Sequence, residues 1–352
     1  MANQTRQLAR LLREEGFEVQ LVRTNAPYRP AWVAPLRGVR ALFRLIPFLV
    51  RLWTSAGRVE LFHVMANSGW AWHLFAAPAI CIAKLRGVPV LVNYRGGNAE
   101  EFFSKSIFWA KFTLGLADRL VVPSGFLQKV FTRFDLLAEV VPNIVDLSRY
   151  APQLSTARSR SEAPHIIVTR NLEPIYDIGS ALHAFALVRK VRPRARMTIA
   201  GGGPEHHSLT KLAETLGVID CVTFAGRLDS DQVAKLYVCA DLFLNSSVVD
   251  NMPNSILEAL ASGVPVVSTD VGGIPFLVEN RKTALLVSPR DPSALAKALL
   301  ELLDDPQMAA SLARAGRGSV QQYGWSSIRG RLFDVYSEMT RDVRSGATVQ
   351  SK

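Results

Sequence analysis

Short apolar runs alternate with amphipathic segments through most of the chain, and this alternation constrains the fold more than any other feature. The runs are rich in Val, Ile and Leu, as strands of a parallel sheet are when helices cover both faces. They occupy residues 19–22, 61–64, 88–92, 119–122 and 140–141 in the first half, and 165–169, 197–200, 222–225, 242–245, 264–268 and 285–287 in the second. The pattern predicts an α/β protein built on doubly wound parallel sheets.

The length of the chain fits two domains of this kind. Its 352 residues allow about 150 for each domain with a margin for connections. The polar stretch at 153–164 has no hydrophobic periodicity, which is typical of a linker. We therefore predict a Rossmann-like first domain at 1–150, a linker at 151–164 and a second Rossmann-like domain at 165–324.

Residues 250–275 are the part of the chain that indicates most about chemistry. Two carboxylates, Asp250 and Glu258, flank a predicted helix start, and Pro253 suits the first turn, where its missing N–H costs little. The N–H groups that follow have no partner inside the helix. Together with the helix dipole, they form an anion site that requires no metal.

The rest of this stretch adds groups for hydroxyls and for close backbone approach. Glu258 lies one turn into the helix, where a carboxylate would repel phosphate but can accept hydrogen bonds from neighbouring hydroxyls. Gly272 and Gly273 follow the predicted strand at 264–268 and permit close approach of the backbone to a ligand. The alternative is an ordinary αβ unit with Glu258 in solvent, but the coincidence of so many special positions favours a site for a diphosphate beside a sugar or ribose.

The same stretch resembles the donor-binding signature of the retaining glycosyltransferases of the GT-B fold, in particular glycosyltransferase family 4. That family has a Glu, seven intervening residues and a second Glu, followed by a Gly-x-Pro-Val-Val strand. Glu258 matches the second Glu, whereas Asp250 replaces the first with a side chain one methylene shorter. The resemblance extends from about residue 3 to residue 340 and is strongest at 165–305.

The resemblance implies a GT-B architecture, in which an acceptor-binding first domain and a donor-binding second domain face a cleft. A C-terminal helix at 325–345 would cross back to the first domain. The donor would be a nucleotide-diphosphate sugar, with no metal and no other cofactor. Glu258 would bind the donor ribose, and Asp250 the hydroxyls of the donor sugar.

The resemblance also implies a set of groups for the diphosphate. Arg170 and the backbone N–H groups of Asn254, Ser255 and Ile256 would hold it. Family members have a Lys six positions after the Arg, but this chain has Tyr176 there, which can donate one hydrogen bond and carries no charge. A lone Arg can still bind a phosphate through two nitrogens.

Two glycine-containing turns complete the implied donor site. The turn with Gly202 and Gly203 would line the donor, although alone such a run is most often a tight turn. The loop with Gly226, Arg227 and Leu228 would meet the nucleobase, and an ordinary surface role for this arginine is equally consistent with the sequence.

In the first domain, Arg95 stands where many relatives have a His near the reacting sugar. An arginine cannot act as a base at neutral pH, so we expect it to hold phosphate or to stabilise charge on the leaving group. The segment 142–146 resembles the family's hinge sequence, with Ile144 in place of the usual Gly, and we expect Asp146 to cap a turn there.

Metal and disulfide sites are not expected. Asp229 and Asp231 form an Asp-x-Asp pattern, but they directly precede a predicted helix, so capping is the preferred interpretation over metal binding. The six histidines lack metal-ligand spacing and are interpreted as structural or exposed. The three cysteines lie scattered in apolar runs, which indicates buried thiols in a reducing compartment.

The start of the chain departs from a complete doubly wound domain. It opens with a predicted helix at 5–13 that leads to the run at 19–22, whereas the resembling family has a strand and a glycine-rich turn before that helix. A parallel sheet without an inner strand would expose unpaired edges. We therefore expect the natural protein to carry further residues upstream of Met1.

The charge distribution makes an anionic membrane surface a candidate partner. The net charge is +11, and residues 1–150 contain 19 Lys or Arg against 10 Asp or Glu. Residues 36–53 form a predicted amphipathic helix with Arg37, Arg40, Arg44 and Arg51, as interfacial helices do. The alternative is a core helix with a solvated basic face. Since no leader and no apolar run of about twenty residues is evident, we expect a cytoplasmic protein, peripheral on the inner face of the membrane.

These features favour a metal-independent retaining glycosyltransferase in cell-surface polysaccharide or glycolipid biosynthesis, acting on a glycan or lipid-linked acceptor. The alternative is a non-catalytic GT-B module that binds glycan or a partner enzyme, since the family's Lys and His are absent. A sugar-nucleotide epimerase would need a second acid or base that the sequence does not provide. Nucleic acid is not expected as a partner, because no aromatic platform accompanies the basic excess.

Overall fold

A computed structural model describes residues 2–24, 42–151 and 163–349. The described residues divide into two compact units. The first contains the chain up to Pro142 together with the part from Ile328 onward, and the second is Asn143–Ser327. The predicted linker at 151–164 lies mostly outside the described residues.

The first unit is a parallel sheet of four strands in the order β1-β2-β3-β4. Its helices are α1 (Ala2–Glu14), α2 (Leu42–Ala56), α3 (Ala77–Leu85), α4 (Ala99–Gly115) and α5 (Gly125–Arg133), and a π-helical turn at Trp72–Ala76 leads into α3. The strands are β1 (Phe62–Ala66), β2 (Val90–Tyr94), β3 (Arg119–Val122) and β4 (Glu139–Val140). The core beneath the helices includes Trp72, Tyr94, Phe103 and Phe131, which are fully buried.

The prediction of a strand at 19–22 is wrong. The segment after α1 is irregular and pairs with no strand among the described residues, although Val22 packs against the core of the first unit. Alternating apolar residues suit a strand, but a strand also needs a neighbour for its N–H and C=O groups. The predicted helix at 5–13 lies within α1 and is confirmed.

The second unit is a parallel sheet of six strands in the order β10-β9-β8-β5-β6-β7. Its strands are β5 (His165–Thr169), β6 (Arg196–Ala200), β7 (Val222–Gly226), β8 (Leu242–Asn245), β9 (Val266–Thr269) and β10 (Leu285–Val287). Its helices are α6 (Ile178–Val191), α7 (His206–Thr215), α8 (Ser230–Val238), α9 (Asn254–Ala261), α10 (Pro292–Asp304) and α11 (Pro306–Val320), and α12 (Trp325–Val349) continues into the first unit. The predicted α/β fold with two parallel sheets is confirmed.

Strand order in the second unit determines where a ligand can bind. The chain runs outward from β5 to β6 and β7, then returns to place β8 on the other side of β5. In open α/β sheets, ligands bind outside the carboxyl ends of the strands at such a change of direction. The loops after β5 and β8 are therefore the expected location of a site.

Local sequence explains the helix starts of this unit. Asp291 accepts a hydrogen bond from the N–H of Ala294 at 2.9 Å, and Asp305 accepts one from the N–H of Met308 at 2.9 Å. Each aspartate directly precedes a proline in the first turn. This is the favoured arrangement, because the carboxylate satisfies a donor that the helix leaves unpaired.

Among the helices described, none is long and apolar enough to cross a bilayer.

Candidate functional site

Three polar side chains converge where β5 and β8 end. Arg170 directly follows β5, and its Nη2 forms an ion pair with Oδ2 of Asp250. The same nitrogen donates to Oγ of Ser247 at 3.3 Å, and this serine also donates to Asp250 at 3.2 Å. The Arg170 and Asp250 side chains are each only 11% exposed. The structure therefore brings together two of the residues that the sequence assigned to the donor site.

Tyr176 supports this arginine from one side. It ends a short 3₁₀ turn at Pro174–Tyr176, and the guanidinium carbon of Arg170 lies 4.2 Å from the centre of its ring. Burial lowers the pKa of Arg170, while Tyr176 and nearby Tyr237 and Glu258 act in the opposite direction. A cation over an aromatic face is stabilised most where water is excluded. Tyr176 thus places an aromatic face against the Arg170 guanidinium.

Gly272 and Gly273 pack against backbone, whereas the sequence analysis assigned them to close contact with a ligand. A Cβ at Gly272 would collide with the carbonyl oxygen of Asp250, and one at Gly273 would collide with that of Asn251. The N–H of Gly273 also donates to the oxygen of Asp250 at 2.9 Å. These glycines permit close contact between two stretches of backbone and so hold the loop that carries Asp250.

Two glycines of the turn after β6 also pack closely against backbone. A Cβ at Gly201 or Gly203 would collide with the carbonyl oxygens of Arg170 and Leu172, respectively. Gly202 lies against the exposed side chain of Arg227. The N–H of Gly201 donates to the oxygen of Gly226 at 2.7 Å, which joins the turn with the predicted nucleobase loop at 226–228.

Helix α9 presents its N-terminus at the same edge of the sheet. The sequence analysis placed Pro253 in the first turn, but this proline is the N-cap and the helix begins at Asn254. Pro253 provides no side-chain hydrogen bond to the helix start. The N–H of Ile256 already donates to the oxygen of Pro253 at 3.2 Å, so the prediction that it binds diphosphate does not fit this structure. The N–H groups of Asn254 and Ser255 have no partner among the described residues. The buried hydroxyl of Ser255 likewise has none there.

Asn143 holds this helix start, a role that the sequence analysis missed. Its Nδ2 donates to the oxygen of Met252 and to Oδ1 of Asn254, both at 2.9 Å. Asp146 caps the following turn as predicted, accepting from the N–H of Arg149 at 3.1 Å. The sequence shows only that this Asn directly follows a Pro. Its partners could not be identified from the sequence, because they lie more than a hundred residues away.

Glu258 is half-buried rather than exposed, so the alternative of a solvated surface residue does not hold. Burial raises its pKa to about 7, while hydrogen bonds from Tyr150 and Tyr237 and the charges of Arg170 and Arg149 oppose that rise. Near neutral pH, this carboxyl is therefore divided between its charged and neutral forms. The charged form can accept hydrogen bonds from ligand hydroxyls.

The Asp-x-Asp pattern serves the start of α8. Oδ1 of Asp229 accepts from the N–H groups of Asp231 and Gln232 at 3.0 and 2.9 Å, and Gln232 completes the capping box. Asp231 pairs with Arg149, with Oδ1 and Nε 3.2 Å apart. The preferred interpretation of these residues as a helix cap is confirmed. Within the described residues, no group of three or more His, Cys, Asp or Glu side chains is arranged to hold a metal.

Arg95 belongs to the first unit. Its Nε donates to Oδ1 of Asn93 at 3.0 Å, and its Nη1 donates to Oε1 of Gln4 at 3.4 Å. Nδ2 of Asn93 then donates to Nε2 of His63 at 3.1 Å, which leaves the proton of the neutral imidazole on Nδ1, 2.7 Å from the hydroxyl of Tyr336. Burial lowers the pKa of Arg95 to about 10 and, with the charge of Arg95, that of His63 to about 3.

Two family models match the chain, that of Glycosyltransferase Family 4 at residues 1–149 and that of Glycosyl transferases group 1 at residues 155–319. One relative is the GDP-mannose-dependent alpha-(1-6)-phosphatidylinositol monomannoside mannosyltransferase of Mycobacterium tuberculosis, 32% identical over 56% of this chain and 54% of its own length. Another is the glycogen synthase of the same species, 27% identical over 77% of this chain and 68% of its own. The chain spans about half the length of the first of these relatives.

Solved structures show the same fold. Sucrose-phosphate synthase from Thermosynechococcus elongatus superposes with a TM-score of 0.77 at 21% identity, over 96% of this chain and 93% of that one. Anabaena HepE in complex with UDP-glucose gives a TM-score of 0.71 at 21% identity, over 83% and 82% of the two chains. The chain therefore belongs to the glycosyltransferases of the GT-B fold, with the family 4 model over its first part and the group 1 model over its second.

Proposed function

We propose that this protein transfers a sugar from a nucleotide-diphosphate sugar to a hydroxyl of a glycan or lipid-linked acceptor, with retention of the anomeric configuration. The observation that carries the proposal is the convergence of Arg170, Asp250 and Glu258 at the carboxyl ends of β5 and β8 and on α9. One relative is a GDP-mannose-dependent enzyme, and Anabaena HepE has been solved in complex with UDP-glucose, which supports a nucleotide-sugar donor.

In this proposal the diphosphate takes the place of Asp250 on Arg170. An arginine binds a phosphate through two parallel hydrogen bonds, so the guanidinium exchanges one anion for another. The N–H groups of Asn254 and Ser255 add two donors at the positive end of the α9 dipole. Asp250, once released from the arginine, can accept hydrogen bonds from hydroxyls of the donor sugar.

We propose retention of configuration and independence of metal on the same assignment. In a reaction on a single face of the sugar, the leaving phosphate accepts the acceptor's proton as the new bond forms, so the site needs no separate protein base. Arg170 and the helix N-terminus stabilise the charge that develops on that phosphate. Asp229 and Asp231 are engaged in a cap and an ion pair, so the donor's positive partners are the guanidinium and the amides. In the first unit, Arg95 is the residue that we propose for stabilising charge on the leaving group.

Peripheral attachment to an anionic membrane surface is part of the proposal, as a cell-surface polysaccharide or glycolipid pathway with a lipid-linked acceptor would require. Arg37 and Arg40 of the predicted amphipathic segment lie outside the described residues. Along α2, four side chains at helical spacing are 36–57% exposed: Phe43, Ile46, Val50 and Trp53. Arg51 is exposed on the same helix, which contains no acidic residue.

Further exposed aromatic residues lie in the same helical layer. Helix α3 packs between α2 and α4, and α4 exposes Phe108, Trp109 and Phe112 by 76, 64 and 58%. Residues 42–115 contain eight Lys or Arg against three Asp or Glu. Aromatic side chains on a cationic surface are typical of proteins that dock at a bilayer interface. We therefore propose a cytoplasmic enzyme attached to the inner face of the membrane.

Donor binding and turnover with UDP-, GDP-, ADP- and dTDP-sugars, in the presence of EDTA, test the enzymatic proposal. We expect one donor to raise the melting temperature of the wild type and to release nucleotide slowly, with Glu258→Ala losing that stabilisation. Glu279→Ala, which removes an exposed carboxylate paired with Lys282 at the surface, is the matched control. If no donor stabilises the wild type, the non-catalytic module becomes the better explanation. If chelator abolishes binding, metal independence is wrong.

A further inference from the structure

Tyr237 lies in the last turn of α8 and is fully buried. Its ring packs against Phe243 of β8 and against Tyr150, with ring centres 5.9 and 5.8 Å apart. A buried phenol must find its hydrogen-bond partners inside the protein, since an unsatisfied polar group costs stability. Burial also raises the pKa of Tyr237 well above its ordinary value, so the hydroxyl keeps its proton. The partners of this hydroxyl therefore indicate which elements it joins.

Three polar groups surround the Tyr237 hydroxyl. Oγ1 of Thr169 lies 2.6 Å from it, the backbone oxygen of Ser255 lies 2.9 Å away and Oε2 of Glu258 lies 3.4 Å away. A phenol has one proton to donate, and a carbonyl oxygen can only accept. The proton is therefore shared between Ser255, the nearer acceptor, and Glu258, while the hydroxyl of Thr169 donates to the phenol oxygen. The result is a bridge of two hydroxyls that runs from Thr169 through Tyr237 to α9.

This hydroxyl bridge joins the two parts of the proposed anion site. Thr169 is the last residue of β5, and Arg170 follows it directly. Ser255 is the second residue of α9, and its N–H is one of the two donors there that have no partner among the described residues. The bridge thus ties the strand that positions the guanidinium to the helix turn that presents the amides.

A second connection between these two parts is the ion pair of Arg170 with Asp250. In the proposed function, the diphosphate displaces Asp250 from the arginine, so this connection opens when the donor binds. The hydroxyl bridge involves neither the guanidinium nor the N–H groups of α9, so the exchange of anions leaves it closed. It can therefore keep the cation and the amides at one separation in the free and in the occupied site.

We propose that Tyr237 is a positioning residue for the donor diphosphate, whose hydroxyl, with that of Thr169, holds the first turn of α9 in a fixed position relative to Arg170. One diphosphate then contacts both the guanidinium and the amides. The inference rests on the proposed donor site, and it adds two residues that lie outside the motif at 250–275. A site that binds one anion through several donors depends on the supporting side chains that fix their separation.

Binding of inorganic pyrophosphate, measured by titration calorimetry, tests this role without a choice of base or sugar. Tyr237→Phe and Thr169→Val each remove one hydroxyl of the bridge while nearly preserving the shape of the side chain. We expect each variant to bind pyrophosphate about fivefold more weakly, which is the factor that one neutral hydrogen bond contributes. The double variant should bind no more weakly than either single variant, because both changes open the same bridge. Tyr323→Phe, which removes the hydroxyl of another buried tyrosine of the same unit, should bind as the wild type does.

The opposite results are distinct from one another. A lower melting temperature of Tyr237→Phe with an unchanged affinity for pyrophosphate would show a packing role only and overturn the proposal. Effects that multiply in the double variant would also overturn it, because the two hydroxyls would then act separately. Arg170→Lys loses the planar fork that pairs with phosphate, so wild-type affinity in this variant would place the pyrophosphate elsewhere and contradict the proposal. If the expected coupling is found while no nucleotide sugar is turned over, the proposed transfer reaction fails and the positioning of the anion site stands.

Discussion

Each unit places one arginine just past the carboxyl end of a central strand, but the two guanidinium groups have different surroundings. Arg170, after β5, pairs with the carboxylate of Asp250 and lies over the ring of Tyr176. Arg95, after β2, donates to the amide oxygens of Asn93 and Gln4. Burial lowers the pKa of both, yet a value of about 10 for Arg95 keeps it protonated at neutral pH.

In the proposed function, Arg170 exchanges its carboxylate partner for a phosphate, whereas the amide partners of Arg95 only fix its orientation. An ion pair can release its carboxylate when a phosphate arrives, because one anion replaces another on the same cation. Amide oxygens fix a guanidinium through hydrogen bonds without competing for its charge. Removal of either arginine should therefore cost stability for different reasons and by different amounts.

The largest expected effect is that of Arg170→Ala. Asp250 would remain buried without its cation, and breaking a buried pair in this way costs about 3–5 kcal/mol in the free energy of unfolding. Replacing both partners should cost less than the sum of the single changes, because no uncompensated charge remains. Urea denaturation of Arg170→Ala, Asp250→Ala and the double variant measures the coupling. Additive single effects would show that the pair does not act as a unit.

A smaller effect is expected for Arg95→Ala. Oδ1 of buried Asn93 would lose its donor, which costs about 1–3 kcal/mol. The pKa of His63 should rise from about 3 because the charge of Arg95 is gone, yet burial, the larger cause, should keep the ring neutral from about pH 5 upward. Calorimetric unfolding and NMR titration of the imidazole are the measurements. Charging of His63 near pH 6 in this variant would mean that Arg95, rather than burial, sets its protonation state.

The strands were predictable from composition, and prolines explain where their starts were misplaced. The apolar runs at 88–92 and 264–268 both contain a proline in second position, Pro89 and Pro265. Proline has no N–H for the ladder, so β2 and β9 begin one residue after it. The carbonyl oxygens of these prolines still accept, from the N–H groups of Phe62 and Phe243. The segment at 19–22 has the apolar pattern of a strand, but no neighbouring strand pairs with it among the described residues.

Local motifs and the family resemblance together indicated part of the candidate site. Asp250 and Glu258 follow from their positions beside a helix start, and Arg170 follows from the resemblance to glycosyltransferase family 4. Asn143 could not be recognised in the same way, because its partners lie about a hundred residues further along the chain and only the fold brings them together. Gly273 was recognised as a site of close approach, but the sequence could not tell that the approaching group is the backbone of Asn251.

The smallest effect expected is on membrane attachment. Loss of a positive charge should weaken this attachment in the first unit but not in the second. Arg51→Gln removes one exposed charge from α2, beside Val50 and Trp53, and a basic residue near an anionic bilayer contributes about 1 kcal/mol. Binding to vesicles that contain anionic lipid should therefore weaken about fivefold, and added salt should reduce the difference. Arg314→Gln removes one exposed charge from α11 in the second unit and should leave binding unchanged. Equal weakening by both variants would indicate attraction to the overall charge of the protein, and no weakening by Arg51→Gln would remove α2 from the docking surface.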